Sequence, residues 1–412
     1  MTTRRQFFMG SAAALAGSAL PRVARADTPT YPYAELEQRI ARKDFRGMTK
    51  DVLPTPSMVV DIDLFEKNIK TMADYAQKAP IYLRPHVKVH KSVDVAQRQM
   101  KAGAIGITAA TIAESELMSR GGITGVLWTK QPGSRNNLLR AIALTKKDPT
   151  FMFVVDDMRV ADWVEEAAGA AKVKARVAAS VYAGLTRQGI ANGQPALELA
   201  QKLHKSKNIQ FEGFMAYSGY ASHTKGFAAR RKKSQEDLSG VNETMLLAKK
   251  AGLPVNIVSG GSTGTYNMDK EFGLTELECG SYVFMDSIYK QVGGQSNDNE
   301  YTDFESALSV LVTVDSKHHP RQVSTDYGNK ALAKPTDTVK GMPWLEVSTQ
   351  GAEYGLLTWK DGGGEIKVGD RVEIYCSNLD MSTNCYDRYY IAKGNDIVDV
   401  WPIMGRSGAA QR

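Results

Sequence analysis

Between residues 58 and 284 the chain alternates short runs rich in β-branched and aromatic residues with stretches of helical periodicity, and no other feature constrains its fold as tightly. The runs span 58–62, 81–87, 105–109, 126–129, 151–155, 173–181, 211–217, 255–259 and 281–284. Between them Leu64, Ile69, Met72 and Ala76 share one helical face, and Thr111 with Glu114 has the spacing of a capping box opening a helix over 111–120. Such alternation marks repeated βα units and a parallel sheet. The number of units predicts a closed (β/α)8 barrel of TIM type. An open, doubly wound sheet fits less well, because no Gly-x-Gly-x-x-Gly follows the first run.

Past residue 300 the texture changes to extended runs at 308–314, 345–348, 355–359, 372–376 and 389–400, separated by Gly- and Asp-rich turns, with Lys393-Gly394-Asn395-Asp396 reading as a hairpin turn. A barrel over 55–300 followed by an all-β domain over 301–412 accounts for the length of 412 residues, 42% of them hydrophobic. Residues 27–54 form a segment that could pack on the β-domain.

At the N-terminus, Thr3-Arg4-Arg5-Gln6-Phe7-Phe8 precedes an apolar stretch from Met9 to Leu20, and Ala24-Arg25-Ala26 supplies small residues for cleavage. This order is that of a twin-arginine export signal over 1–26, which would place the mature protein in the periplasm. No other apolar stretch approaches the roughly 20 residues of a membrane span. Removing the four leader arginines takes the net charge from +7 to +3, and Lys and Arg elsewhere are interleaved with Asp and Glu. The Arg230-Arg231-Lys232-Lys233 run reads as a solvated helix face, so nucleic acid is not an expected partner. Three cysteines make no disulfide framework: Cys279 reads as a core residue, and spacing leaves open whether Cys376 pairs with Cys385.

Reactive groups collect where the barrel strands end, the face on which such barrels carry their sites. The second run leads into Arg84-Pro85-His86-Val87-Lys88-Val89-His90-Lys91. Partial burial and positive neighbours would depress the Lys88 pKa, giving the free amine that Schiff-base chemistry requires. The eighth run ends in Ser259-Gly260-Gly261-Ser262-Thr263-Gly264-Thr265, with Gly280-Ser281-Tyr282 following. Glycines let N–H groups converge on an anion, so the turn is a credible phosphate cradle, though not a P-loop. A lysine and a phosphate seat on one rim suggest pyridoxal 5′-phosphate. Arg187 and Tyr217, also at strand ends, are candidates to flank its ring.

These segments, with Thr55-Pro56-Ser57, Gly184-Leu185-Thr186-Arg187-Gln188-Gly189, Tyr217-Ser218-Gly219, Asp387-Arg388-Tyr389-Tyr390 and Val398-Asp399-Val400-Trp401-Pro402, resemble the D-threonine aldolase and D-serine dehydratase family of fold-type III pyridoxal phosphate enzymes. The resemblance implies an alanine-racemase-like barrel, a C-terminal β-domain and a homodimer. It makes Lys88 the lysine that takes the cofactor aldehyde, and puts Arg187 and Tyr217 beside the ring. The phosphate then falls to Ser259, Gly261, Ser262, Thr263, Gly264, Gly280, Ser281 and Tyr282. Where the family carries a His-x-Asp or His-x-Cys metal pair, this chain has Asn378-Leu379-Asp380, an oxygen set suited to manganese, magnesium or calcium rather than zinc. Ser218 and Tyr354 stand where histidines are common in the family, and Tyr182 where an acid is common. The expected function is retro-aldol cleavage of a D-β-hydroxy amino acid to glycine and an aldehyde. Dehydration, racemisation and non-catalytic binding of cofactor or amino acid are the alternatives.

Overall fold

The computed structural model describes residues 32–333 and 338–406, so the expected leader lies outside the described residues. Residues 32–44 form a small unit of their own around a helix, Pro32–Ala41, with Glu35 in its first turn and Arg39 in its last, each complementing the helix dipole. Everything from Phe45 onward is a second compact unit that contains both the barrel and the β-domain.

The first strand, β1 (Ser57–Asp61), does not enter the barrel. It pairs antiparallel with β10 (Leu308–His319) and parallel with β15 (Arg388–Lys393), placing Val59 beside Ser309 and Tyr390. The run 58–62 therefore belongs to the second sheet. Met58, Val59 and Val60 are all buried, so the strand reads as a continuous apolar run with no face to betray its sheet.

The barrel is made of β2 (Tyr82–Leu83), β3 (Thr108–Ala109), β4 (Leu127–Trp128), β5 (Met152–Val155), β6 (Ala175–Ser180), β7 (Ile209–Ala216), β8 (Ile257–Gly260) and β9 (Glu276–Leu277), all parallel in ring order. A parallel bridge from His86 to Thr108 closes the ring, supported by the Ile105 N–H to Leu83 and Thr108 N–H to Pro85 carbonyl bonds. The last barrel strand is β9 rather than the run 281–284, which forms a 3-10 turn, Ser281–Val283. Alternation along each strand divides the core. Leu127, Met152, Val154, Ala178 and Met215 pack together inside the barrel, while Trp128, Phe153, Val177 and Phe214 join the large cluster that includes the surrounding helices. The helix Ile62–Lys78 buries Phe65, Ile69, Met72 and Ala76, and Asp61 caps it by accepting the Leu64 N–H. The helix Ile112–Arg120 carries the anticipated capping box, Thr111 and Glu114 each satisfying the other's backbone.

The C-terminal sheet adds β11 (Gln322–Thr325), β12 (Leu345–Thr349), β13 (Gly355–Trp359), β14 (Arg371–Tyr375) and β16 (Asp396–Pro402). Its order is β12-β13-β11-β10-β1-β15-β16, with β14 on β10. Lys393 pairs with Asp396 across Gly394 and Asn395, which is the expected hairpin. From the segment before β1, Lys50 donates to Glu373 at 2.7 Å and the Lys50 carbonyl accepts from Arg371 at 2.7 Å, tying this stretch to the sheet. All three cysteines are free: Cys279 and Cys376 are buried and Cys385 is exposed. Among the described residues no helix is long and apolar enough to cross a membrane.

Candidate active site

Past β2 the chain turns through a single 3-10 turn, Val87–Val89, because the His86 ring accepts the Lys88 N–H at 3.3 Å and caps it. Lys88 thereby leaves the strand end and reaches a cavity of about 290 Å³ at the mouth of the barrel. Ten of the thirteen anticipated site residues line that cavity: Lys88, Arg187, Tyr217, Gly261, Ser262, Thr263, Gly280, Ser281, Asn378 and Asp380. Ser259, Gly264 and Tyr282 stand outside its lining. Ser259 Oγ donates to Glu278 at 2.6 Å, the Gly264 carbonyl turns back to Arg230, and the Tyr282 hydroxyl accepts from Gln99 in the core.

Lys88 Nζ lies 3.3 Å from Asp380 Oδ2 and 5.8 Å from the centre of the Tyr217 ring, whose centre is also 5.7 Å from the Arg187 guanidinium carbon. Burial pulls the Lys88 pKa down, but Tyr217 and Asp380 outweigh it, so the amine is held above its ordinary value. The expected depression therefore does not occur. Arg84, a basic neighbour in sequence, is turned into the barrel, where Nε and Nη2 hold Glu276 at 2.8 and 3.0 Å. Lys91 reaches a different fate again. Its buried ammonium donates to the Lys88 and Asp380 carbonyls, each at 2.6 Å, and to Thr383 Oγ1 at 2.8 Å, and burial lowers its pKa to about 8. It thus ties the reactive-lysine turn to the Asp380 segment of the β-domain.

The anion cradle passes a direct test of fit. At Gly280 a Cβ would stand 2.6 Å from Val89 Cγ2 and 3.2 Å from the His86 carbonyl, and Gly261 has φ +77°, so both turns favour glycine. Thr263 Oγ1 accepts the Tyr282 N–H at 3.0 Å and joins the two turns. Among the described residues the Thr263 and Ser281 N–H groups have no protein acceptor, which suits a bound oxyanion. A phosphate tail on this cradle and an aldehyde at Lys88 match the groups of pyridoxal phosphate.

The metal pair fares differently. Asp380 faces the Lys88 ammonium, and the Asn378 amide nitrogen points at Met381 Sδ, 3.4 Å away. Among the described residues no three His, Cys, Asp or Glu side chains cluster as metal ligands. One carboxylate and one amide are fewer oxygens than calcium takes from a protein cage, so a divalent ion held here would take most of its shell from water.

Several lining residues escaped the sequence reading. His223, six residues beyond Tyr217 on the same strand-end loop, stacks on Tyr289 with ring centres 4.8 Å apart, and burial followed by the Lys88 charge lowers its pKa. Asp286 accepts the N–H groups of Asn378 and Leu379 at 3.2 and 3.0 Å and fixes that turn against the barrel. Of the positions noted as departing from the resemblance, Ser218 is buried against Asp237, whereas Tyr182 and Tyr354 are exposed and stand outside the cavity lining.

Glu278 lines the cavity, and burial raises its carboxyl to about 7. A raised acid pKa means that the folded cofactor-free protein binds more protons than the unfolded chain between about pH 4.5 and 7. Stability contributed by the neutral acid is present below that window and lost as pH rises through it. Glu278→Gln is expected to match the wild type near pH 4.5 and to be more stable by about 3 kcal/mol above pH 7. Urea denaturation of the cofactor-free proteins across that range checks this.

A barrel with a lysine and a glycine-rich anion cradle at its mouth, followed by a β-domain that closes over them, defines a fold-type III pyridoxal phosphate enzyme. The alanine racemase N-terminal domain family matches residues 60–288, and the serine dehydratase domain family matches 307–392. The 3-hydroxy-D-aspartate aldolase of Paracoccus denitrificans (strain Pd 1222) is 30% identical over 87% of this chain and 94% of its own. The D-threo-3-hydroxyaspartate dehydratase of Delftia sp. (strain HT23) is 27% identical over 77% of this chain and 87% of its own. The crystal structure of D-threonine aldolase from Filomicrobium marinum superposes with a TM-score of 0.81 at 28% identity, covering 87% of this chain and 96% of that one. The chain belongs to the D-threonine aldolase and D-serine dehydratase family of pyridoxal phosphate-dependent lyases.

Proposed function

We propose that this protein cleaves the Cα–Cβ bond of D-β-hydroxy amino acids, releasing glycine and an aldehyde. The observation that carries the reading is the opening of an uncharged imidazole, His223, into the same cavity as the Lys88 amine. Retro-aldol cleavage begins with loss of the β-hydroxyl proton, and a neutral ring nitrogen is suited to accept it. Lys88 is the amine that would hold the cofactor covalently, and Asp380 Oδ2, 3.3 Å from Nζ, would orient it. When bound, pyridoxal phosphate supplies the electron sink for the pair left at Cα. Arg187 and Tyr217 would flank the ring, while Gly261, Ser262, Thr263, Gly280 and Ser281 would seat the phosphate. The D configuration rests on the names of the relatives. Export by the twin-arginine route, resting on Arg4, Arg5 and the Ala24-Arg25-Ala26 cleavage pattern, and assembly as a homodimer complete the reading.

The test is incubation of the purified, cofactor-loaded protein with D-threonine and with 3-hydroxy-D-aspartate, followed by product analysis. Glycine with acetaldehyde or glyoxylate is expected, with the L-enantiomers inert. His223→Asn should lower kcat by about 10²-fold while leaving the cofactor absorbance unchanged. A keto acid with ammonia would make the protein a dehydratase, and no turnover would overturn the lyase reading.

A further inference from the structure

The phosphate cradle has a back wall that neither the sequence motifs nor the cavity lining reveals. Arg230, on the helix Phe227–Lys250, was expected on a solvated face but has no accessible surface. Its Nε donates to the Gly264 carbonyl at 2.7 Å, Nη1 to Thr224 and Val292 carbonyls at 3.0 and 2.8 Å, and Nη2 to Gly293 at 2.7 Å. Every oxygen it meets is a backbone carbonyl. Among the described residues none of its nitrogens is within ion-pair distance of a carboxylate, so a permanent positive charge is buried there without a direct counter-ion. The Tyr301 hydroxyl, also buried, donates to the Thr263 carbonyl at 2.6 Å.

Two successive carbonyls of the glycine-rich turn are therefore held from behind, by groups that do not line the cavity. In a planar trans peptide the C=O and the following N–H point in opposite directions. Fixing the Thr263 carbonyl on Tyr301 consequently turns the Gly264 N–H toward the side on which Ser262 and Thr263 line the cavity. Position 264 admits only glycine, since a Cβ there would stand 2.1 Å from the Ser222 carbonyl.

We infer that Arg230 and Tyr301 are positioning residues for the cofactor phosphate: Tyr301, through the Thr263 carbonyl, aims the Gly264 N–H at the dianion, while Arg230, through the Gly264 carbonyl, holds the turn that the Thr265 N–H closes on the Ser262 carbonyl and supplies a buried positive charge behind it. The inference rests on the reading that this turn seats the phosphate. Field and geometry act together, because a charge with no accessible surface works over several ångströms with little screening.

The experiment compares binding of pyridoxal phosphate and of pyridoxal, which lacks the phosphate, to the cofactor-free protein by absorbance titration. The wild type should prefer the phosphorylated form. Equal binding of the two by the wild type would refute the phosphate-seat reading itself. Given the preference, Arg230→Gln is expected to weaken pyridoxal phosphate binding by at least about 30-fold and pyridoxal binding by less than about 3-fold. Tyr301→Phe, which keeps the charge and removes one clamp, should erode the same ratio by several-fold, and it decides the matter if Arg230→Gln does not fold. A ratio unchanged from wild type in the folded variant would overturn the inference, because a purely structural role would weaken both ligands alike.

Discussion

Lys88→Ala is expected to lower turnover by at least about 10³-fold while leaving the melting temperature of the cofactor-free protein close to that of the wild type. Removing a group that acts covalently takes away a reaction path, whereas the fold loses little at this position. The side chain is 31% exposed and, among the described residues, its ion pair is with Asp380, itself 44% exposed, a pair of the kind that contributes under about 1 kcal/mol. The variant should still bind pyridoxal phosphate through the glycine-rich cradle, since Gly261, Thr263, Gly280 and Ser281 do not depend on the lysine side chain. Steady-state kinetics with the preferred β-hydroxy amino acid and thermal denaturation of both proteins check the two halves of this expectation.

Glu276→Ala should have the largest effect on stability, about 3–5 kcal/mol in urea denaturation. Arg84 and Glu276 are 6% and 1% exposed, and the guanidinium grips both carboxylate oxygens inside the barrel. Arg84 also donates to the Gly125 carbonyl. Deleting the carboxylate leaves a guanidinium that cannot be neutralised in a region that water does not reach. Replacing both partners at once, Arg84→Met with Glu276→Leu, should recover most of the loss, since what destabilises is the stranded charge rather than the absence of the pair. The exposed pair Lys67–Glu305 offers the contrast: Lys67→Ala should cost under about 1 kcal/mol.

Local pattern made the barrel legible, because helix and strand periodicities and the Thr111 capping box depend on residues close in sequence. It failed where pairing is non-local. The Ser57–Asp61 strand carries the same apolar signature as a barrel strand, yet its partners are Leu308–His319 and Arg388–Lys393, far along the chain. The charge at the site was misread for the same reason. Basic residues next to Lys88 in sequence face elsewhere: Arg84 meets Glu276, and Lys91 meets carbonyls, while the groups that raise the Lys88 pKa are Tyr217 and, from the β-domain, Asp380. Arg230 reads as part of a basic surface run, but helix geometry turns it inward while Arg231, Lys232 and Lys233 point outward, paired with Glu271, Glu236 and the buried Asp237. His223 carries a usable signal in its place on the loop after Tyr217, though a lone histidine there has no spacing to a second reactive residue that would mark it out.

Lys88 is the residue expected to bear the cofactor, and chemical trapping tests this directly. Purified protein loaded with pyridoxal phosphate, reduced with borohydride and digested, should yield one modified peptide, with the phosphopyridoxyl mass on Lys88. Label on Lys91 or another lysine, or none after the visible absorbance has been bleached, would contradict the assignment of the site.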